Sequence, residues 1–198
     1  MQRRNFLGLG LTPLALARPA RATPEKPMPP SHASRTGSFP NVPLVTHENR
    51  EVRFYDDLIR GRTVLCNFFL VRCTDGTCPT AIRNLRQVQD LLGERMGRDI
   101  FFYSITLQPE TDTPEVLKDY AEAYEARPGW EFLTGAPADI ERLRRRLGYV
   151  DPDPKIDQDL ANHTNMARYG CEPLRRWAAV SLRTSPANIA SMISQITL

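Results

Sequence analysis

Two cysteines stand five positions apart in the stretch VRCTDGTCPTAIRNL, residues 71–85, and the second, Cys78, is followed at once by Pro79. A pair so spaced has three chemistries open to it. Cys73 and Cys78 can close a disulfide staple, cycle between dithiol and disulfide as a catalytic redox pair, or give two soft thiolates to a metal. A staple over so short a loop removes little entropy from the unfolded chain. A cysteine at a helix start, by contrast, has its thiolate favoured by the helix dipole and by unpaired backbone amides. The other groups that could join them are few: the chain has four cysteines and three histidines, His32, His47 and His163. Cys66 falls inside an apolar run and reads as a small buried hydrophobe. Asp151, Asp153, Asp157 and Asp159 precede His163 in a proline-containing loop. Solvation explains them, and a supporting or partner-docking role is the alternative.

The cysteine pair needs elements to hold it, and the flanking sequence supplies them. TVLCNFFL at 63–70 is a continuous apolar run of strand length, as for a strand buried on both faces. After Cys78, Pro79 occupies a natural first helical position, and Ile82, Leu85, Val88 and Leu92 recur at helical spacing up to Gly93. The pair therefore sits where a buried strand hands over to a helix. DIFFYSITL reads as a second buried strand, and Thr113 caps a helix opened by Pro114 and Glu115 with Val116, Leu117, Tyr120 and Tyr124 inward. WEFLTG is a short strand. PADIERLRRRLG is a helix with Ile140, Leu143 and Leu147 inward and Gly148 as its stop, its basic run Arg144–Arg146 read as a solvated face that complements the dipole. VPLVTHENREVRFYDDL gives two short strands around Glu48-Asn49, and NMARYG and RRWAAVSL give a strand pair followed by a helix over Pro186–Ile196. Trp130 and Trp177 read as core and Met166 as packing. This order predicts an α/β, thioredoxin-like fold: a central mixed sheet flanked by helices, with an N-terminal β-hairpin.

Ahead of the domain at 39–198, residues 1–22 have the features of an export signal: an arginine pair, an apolar run from Phe6 to Ala17 broken by Pro13, and Ala20 and Ala22 for a cut after Ala22. Arg3-Arg4-Asn5-Phe6-Leu7 resembles a twin-arginine signal. The apolar run is shorter than the ~20 residues a spanning helix needs, so cleavage and no remaining transmembrane segment are expected. Residues 23–38, rich in proline and small polar types, read as a flexible tether. The formal charge of +3 becomes −1 once the four arginines of 1–22 are removed with no acid lost. Basicity thus belongs to the leader, and nothing in the domain makes an electrostatic case for nucleic acid.

The segment from about Phe39 onward resembles the Sco/SenC proteins, thioredoxin-fold copper proteins of cytochrome c oxidase assembly. The likeness rests on CTDGTCP after a buried strand, and on NVPLVTHENREVRFYDDL, GRDIFFYSITLQPETDTPEVLKDY, PGWEFLTG and NHTNMARYG. It implies a copper site in which His163 joins Cys73 and Cys78. It also implies a periplasmic protein that carries one copper, as Cu(I) or Cu(II), to the cytochrome c oxidase subunit bearing the CuA centre or reduces that subunit's cysteines, with other copper carriers or thiol reductants as further partners. Soft thiolates suit Cu(I), and an imidazole beside them accommodates Cu(II). His32 lies in the tether and His47 beside a hairpin turn, whereas a strand starting after His163 and running antiparallel to 63–70 would begin where that strand ends. Cys171 lies eight residues further on, roughly 25 Å along a straight strand, too far to ligate. The family has three residues between its cysteines, and here there are four, Thr74 to Thr77. The alternative is a metal-free thiol-disulfide oxidoreductase. Such enzymes space the pair by two residues and place a cis-proline before the later strand, where this chain has ANHTNM. A peroxidase, which needs a lone reactive cysteine with an arginine, fits less well.

Overall fold

The computed structural model describes residues 39–73 and 77–197. The leader at 1–22, the tether at 23–38 and residues 74–76 between the cysteines lie outside the described residues. In chain order the elements are β1 (Pro43–Thr46), β2 (Glu51–Arg53), a π-helical turn (Phe54–Ile59), β3 (Thr63–Phe69), α1 (Thr77–Leu92), β4 (Ile100–Thr106), α2 (Pro114–Ala123), β5 (Trp130–Thr134), α3 (Pro137–Arg146), a one-turn α4 (Pro154–Asp157), a 3-10 turn (Leu160–His163), β6 (Met166–Cys171), β7 (Arg176–Ser181) and α5 (Pro186–Ile196). Four of these helices open on proline, whose fixed φ and missing N–H cost nothing in a first turn. Thr113, Asp153 and Ser185 cap three of them by accepting a backbone N–H.

The strands form one seven-stranded sheet in the order β2-β1-β5-β4-β3-β6-β7. β3, β4 and β5 run parallel, while β6 pairs antiparallel with β3 and β1 antiparallel with β5. β3 is buried at every position, which is why it carries no polar alternation. Its Val64, Cys66 and Phe68 face a layer made by Ile140 and Leu143 of α3, by Leu147 at its C-terminal end, and by Phe54 and Leu58. Leu65 and Phe69 face the opposite layer, with Ile82, Leu85 and Val88 of α1, Leu117 of α2, and Ile189 and Ile193 of α5. Each such buried side chain is worth about 1.5–3 kcal/mol of burial.

The strand and helix order agrees with the sequence reading, with local departures. β2 stops at Arg53, because Phe54, Tyr55, Leu58 and Ile59 are all buried, a spacing that a helical turn satisfies and a strand does not. Trp177 is only partly buried, its ring 4.5 Å from that of Phe39 at the margin of the core.

Candidate metal and thiol site

β3 ends at Phe69, and Leu70 to Cys73 carry the chain over the sheet edge before α1 begins at Thr77. Cys78 is therefore inside the first turn of α1, which opens two residues ahead of the Pro79 start that the sequence suggests. Its backbone N–H donates to the Cys73 Sγ at 3.4 Å, and its thiol lies within hydrogen-bonding reach of the Cys73 thiol. Cys73 is half-buried and Cys78 is fully buried. Burial, then the neighbouring Cys73 thiol, pushes the Cys78 thiol above its ordinary value, while the Thr164 hydroxyl and the Leu70 backbone pull the other way. Burial therefore acts against the activation expected from the helix start, because desolvation disfavours the thiolate.

The opposite arm of the site comes from the loop before β6. Pairing of Asn67 with Ala167 sets the start of β6 against the end of β3, so the residues preceding β6 arrive at the edge that carries the cysteines. Leu182 N–H donates to the Asn165 carbonyl at 2.8 Å, and the Thr164 hydroxyl donates to the Ala161 carbonyl at 2.9 Å, which together fix the end of the 3-10 turn. Thr164 is fully buried and touches the Cys78 thiol. His163, its neighbour, is 5% exposed.

The imidazole of His163 is held on the side of α3. Its Nε2 lies 2.9 Å from the Asp157 carbonyl oxygen and 3.1 Å from Nη1 of Arg144. Arg144 is 3% exposed, so the reading of Arg144–Arg146 as a solvated face fails for its first member. It bridges Glu141, Asp157 and the Tyr149 carbonyl. Arg144, followed by the Asp151 backbone N–H, holds the Asp157 carboxyl well below the usual carboxylate range, so solvation does not describe Asp157 either. Arg144 stands on the same stripe as Ile140, Leu143 and Leu147, and that helical phase is the signal that marks it as inward-facing.

The structure thus brings Cys73 and Cys78 together and sets Thr164 on Cys78. It does not gather His163 with the thiols: among the described residues, no group of three or more His, Cys, Asp or Glu is close enough to hold a metal ion. Among the described residues no disulfide is formed. Cys66 is buried in mid-β3, its thiol pushed up to about 12 by burial, and Cys171 pairs with Thr63 at the far end of β3. His47 accepts the Phe132 N–H on Nδ1 at the other side of the sheet. Met166, read as packing, is 41% exposed and lines a cavity of about 270 Å³ together with His163 and Arg168. Tyr120, between the rings of Phe69 and Tyr124, lies close enough to both thiols to feel their charge. Nothing in its helical spacing distinguishes it from a core residue.

With that geometry in place, similarity to known proteins decides the family. The sequence profile described as SCO1/SenC matches residues 37–169. The chain belongs to the SCO1/SenC family. A SCO2-like protein of Rickettsia prowazekii is 35% identical over 116 residues, 59% of this chain and 54% of that protein, so the match spans about half the relative's length. Copper-bound ScoI of Bradyrhizobium japonicum superposes with a TM-score of 0.61 at 23% identity, covering 79% of this chain and 99% of that one. BsSco, described through its disulfide switch as a member of the Sco family of cytochrome c oxidase assembly proteins, superposes at 0.60 with 20% identity over 80% of this chain and 94% of its own. The mixed sheet flanked by helices is the thioredoxin-like arrangement of these Sco structures.

Proposed function

We propose that this SCO1/SenC protein binds one copper ion through Cys73, Cys78 and His163, and works outside the inner membrane in assembling the CuA centre of cytochrome c oxidase. One observation carries the reading: two thiols within reach of each other at a strand-to-helix junction, with Thr164, the residue after His163, resting on one of them. The donor set fits the metal chemically. Two thiolates favour Cu(I), and a neutral imidazole adds the nitrogen that Cu(II) prefers. What the chain itself supplies is a first helical turn that presents Cys78, a partly exposed Cys73, and a loop before β6 that carries His163 and sets Thr164 on Cys78. No helix among the described residues is long and apolar enough to cross a membrane. The arginine-led leader of residues 1–22 supports export.

Copper stoichiometry of the reduced protein tests this. About one Cu(I) per chain is expected, with Cys73→Ser or Cys78→Ser losing most of the affinity because each removes one of two soft ligands. Full copper retention in both variants refutes the site. The proximity of the thiols also favours a second reading, dithiol–disulfide exchange without metal. Deleting Thr74 restores the family's three-residue spacing and separates the two. A copper site should keep or tighten binding after the deletion, whereas a redox pair should mainly change its reduction potential, about 30 mV for each 1.4 kcal/mol of altered disulfide stability.

A further inference from the structure

The sheet ends on two strands, and they are finished differently. β2 is three residues long, has Glu51 and Arg53 at its ends, and leads straight into the helical turn at Phe54. Short length and charge keep an edge strand from pairing with another chain. β7, at the other edge, runs for six residues, Arg176–Ser181, and from Trp177 to Ser181 it has neither charge nor proline. One step beyond the Met166–Ser181 pair of the β6–β7 ladder, the Leu182 N–H donates to the carbonyl of Asn165 directly opposite. Bonded and non-bonded pairs alternate along an antiparallel ladder. Val180, Ala178 and Arg176 therefore turn their backbone groups to β6, and Trp177 and Ala179 turn theirs outward. Among the described residues nothing takes up the N–H and C=O of Trp177 and Ala179.

The charge around this edge has one sign. Arg175 and Arg176 are exposed at its start, Arg183 is exposed just past its end, and Arg168 stands opposite Ala179 on β6. Among the described residues none of the four has a carboxylate within ion-pairing distance. Glu172, the acid of the hairpin loop, is taken by the Tyr55 hydroxyl and the Gly61 N–H. We propose that β7 is a docking edge for an extended, acidic segment of a partner protein, which adds to the sheet through the backbone of Trp177 and Ala179 and sets its carboxylates against these arginines. In strand addition the main-chain bonds give affinity and the side chains give specificity. A second copy of this chain fits badly, because two β7 strands paired antiparallel about Ala179 would set Arg175 of each opposite Arg183 of the other, and opposed like charges destabilise. Ala179 also lines the cavity that holds Met166, Arg168 and His163. The added strand thus runs along the rim of that cavity, beside the loop that carries His163.

The test uses the full, ¹⁵N-labelled chain and reads hydrogen exchange at the Trp177 and Ala179 amides. The probes are an acetylated, amidated peptide of about eight residues alternating glutamate and threonine, a usual strand length, and its counterpart with lysine for glutamate. In the free chain both amides should exchange fast. The glutamate peptide should slow them at least about tenfold, less so as salt is raised, and the lysine peptide should leave them unchanged. Ala179→Pro removes an N–H that β6 does not use, which an edge strand tolerates, and should abolish the protection at Trp177. Arg176→Glu combined with Arg183→Glu should switch the preference to the lysine peptide, and it serves if the proline variant does not fold. Three results overturn the proposal: no slowing with the glutamate peptide, equal slowing with both peptides, or a folded Ala179→Pro protein with wild-type protection at Trp177. Amides already protected in the free chain overturn it as well. The edge is then covered by a second copy if protection rises with protein concentration, and by the chain itself if it does not.

Discussion

Cys73 and Cys78 share a loop yet differ in environment, and that difference has a chemical consequence. The thiolate is the reacting form, and a thiol pushed upward by burial holds less of it at neutral pH, by tenfold for each unit. Cys78 is both sealed from solvent and shifted upward, whereas Cys73 is half-exposed. Iodoacetamide at pH 7.5 should therefore label Cys73 first in the reduced protein, with Cys78, Cys66 and Cys171 reacting at least about tenfold more slowly. Peptide mapping of the alkylated protein checks this, and equal rates at Cys73 and Cys78 would contradict the placement of Cys78. In an exchange reaction Cys73 is then the thiol that an incoming partner meets.

Among the elements, the β6–β7 hairpin bears most directly on the site, because β6 sets where His163 and Thr164 arrive. Gly170 is the tight point of that hairpin. A Cβ there would meet the Arg176 carbonyl oxygen at 2.3 Å and the Trp177 ring at 2.5 Å, and a backbone atom cannot step aside as a side-chain end can. Gly170→Ala should destabilise the fold by about 1–3 kcal/mol, the usual cost of overpacking. Urea unfolding should show a lower midpoint, and copper affinity measured below the transition should fall as well if the hairpin positions His163. An unchanged midpoint would mean that β7 yields without cost. Gly170 reads in the sequence as an ordinary strand residue, since only the register with β7 reveals what faces it.

For the molecule as a whole, burial of titratable groups sets how stability responds to pH. Burial raises Cys66 and Cys78, and at higher pH Tyr103, Tyr120 and Tyr149, above their ordinary values. A group whose folded value is raised keeps its proton in the native state after the unfolded chain has lost it, so its contribution is complete below the unfolded value and lost as pH rises. Stability of the reduced protein should begin to fall above about pH 8.5, where unfolded thiols ionise, and more steeply above about pH 10, where unfolded tyrosines do. On the acid side, Asp157 and Glu141 are lowered, in each case chiefly by Arg144, so their contribution holds at neutral pH and is lost as pH falls below about 4. Thermal melts across pH 3–11 would test both limbs. A flat alkaline limb would show that the buried thiols and phenols are not protected from water.

The sequence alone determined the strand–cysteine–helix junction, the inward faces of α1 and α3 and the proline-opened helices. Those features follow from hydrophobic period, capping and turn chemistry, which act over a few residues and are written locally. The tertiary structure decided what depends on distant chain segments meeting. It buried Cys78 beside Thr164, and that burial pushes its thiol upward, against the direction in which a helix start acts. It turned Arg144 inward to meet Asp157 and His163, making one arginine of a basic run the centre of a buried network. It also left Met166 exposed beside a cavity and drew Phe54–Ile59 into a helical turn. In each case the outcome depends on which groups share a low-dielectric space, and that is fixed by packing between elements rather than by any residue's neighbours in the chain.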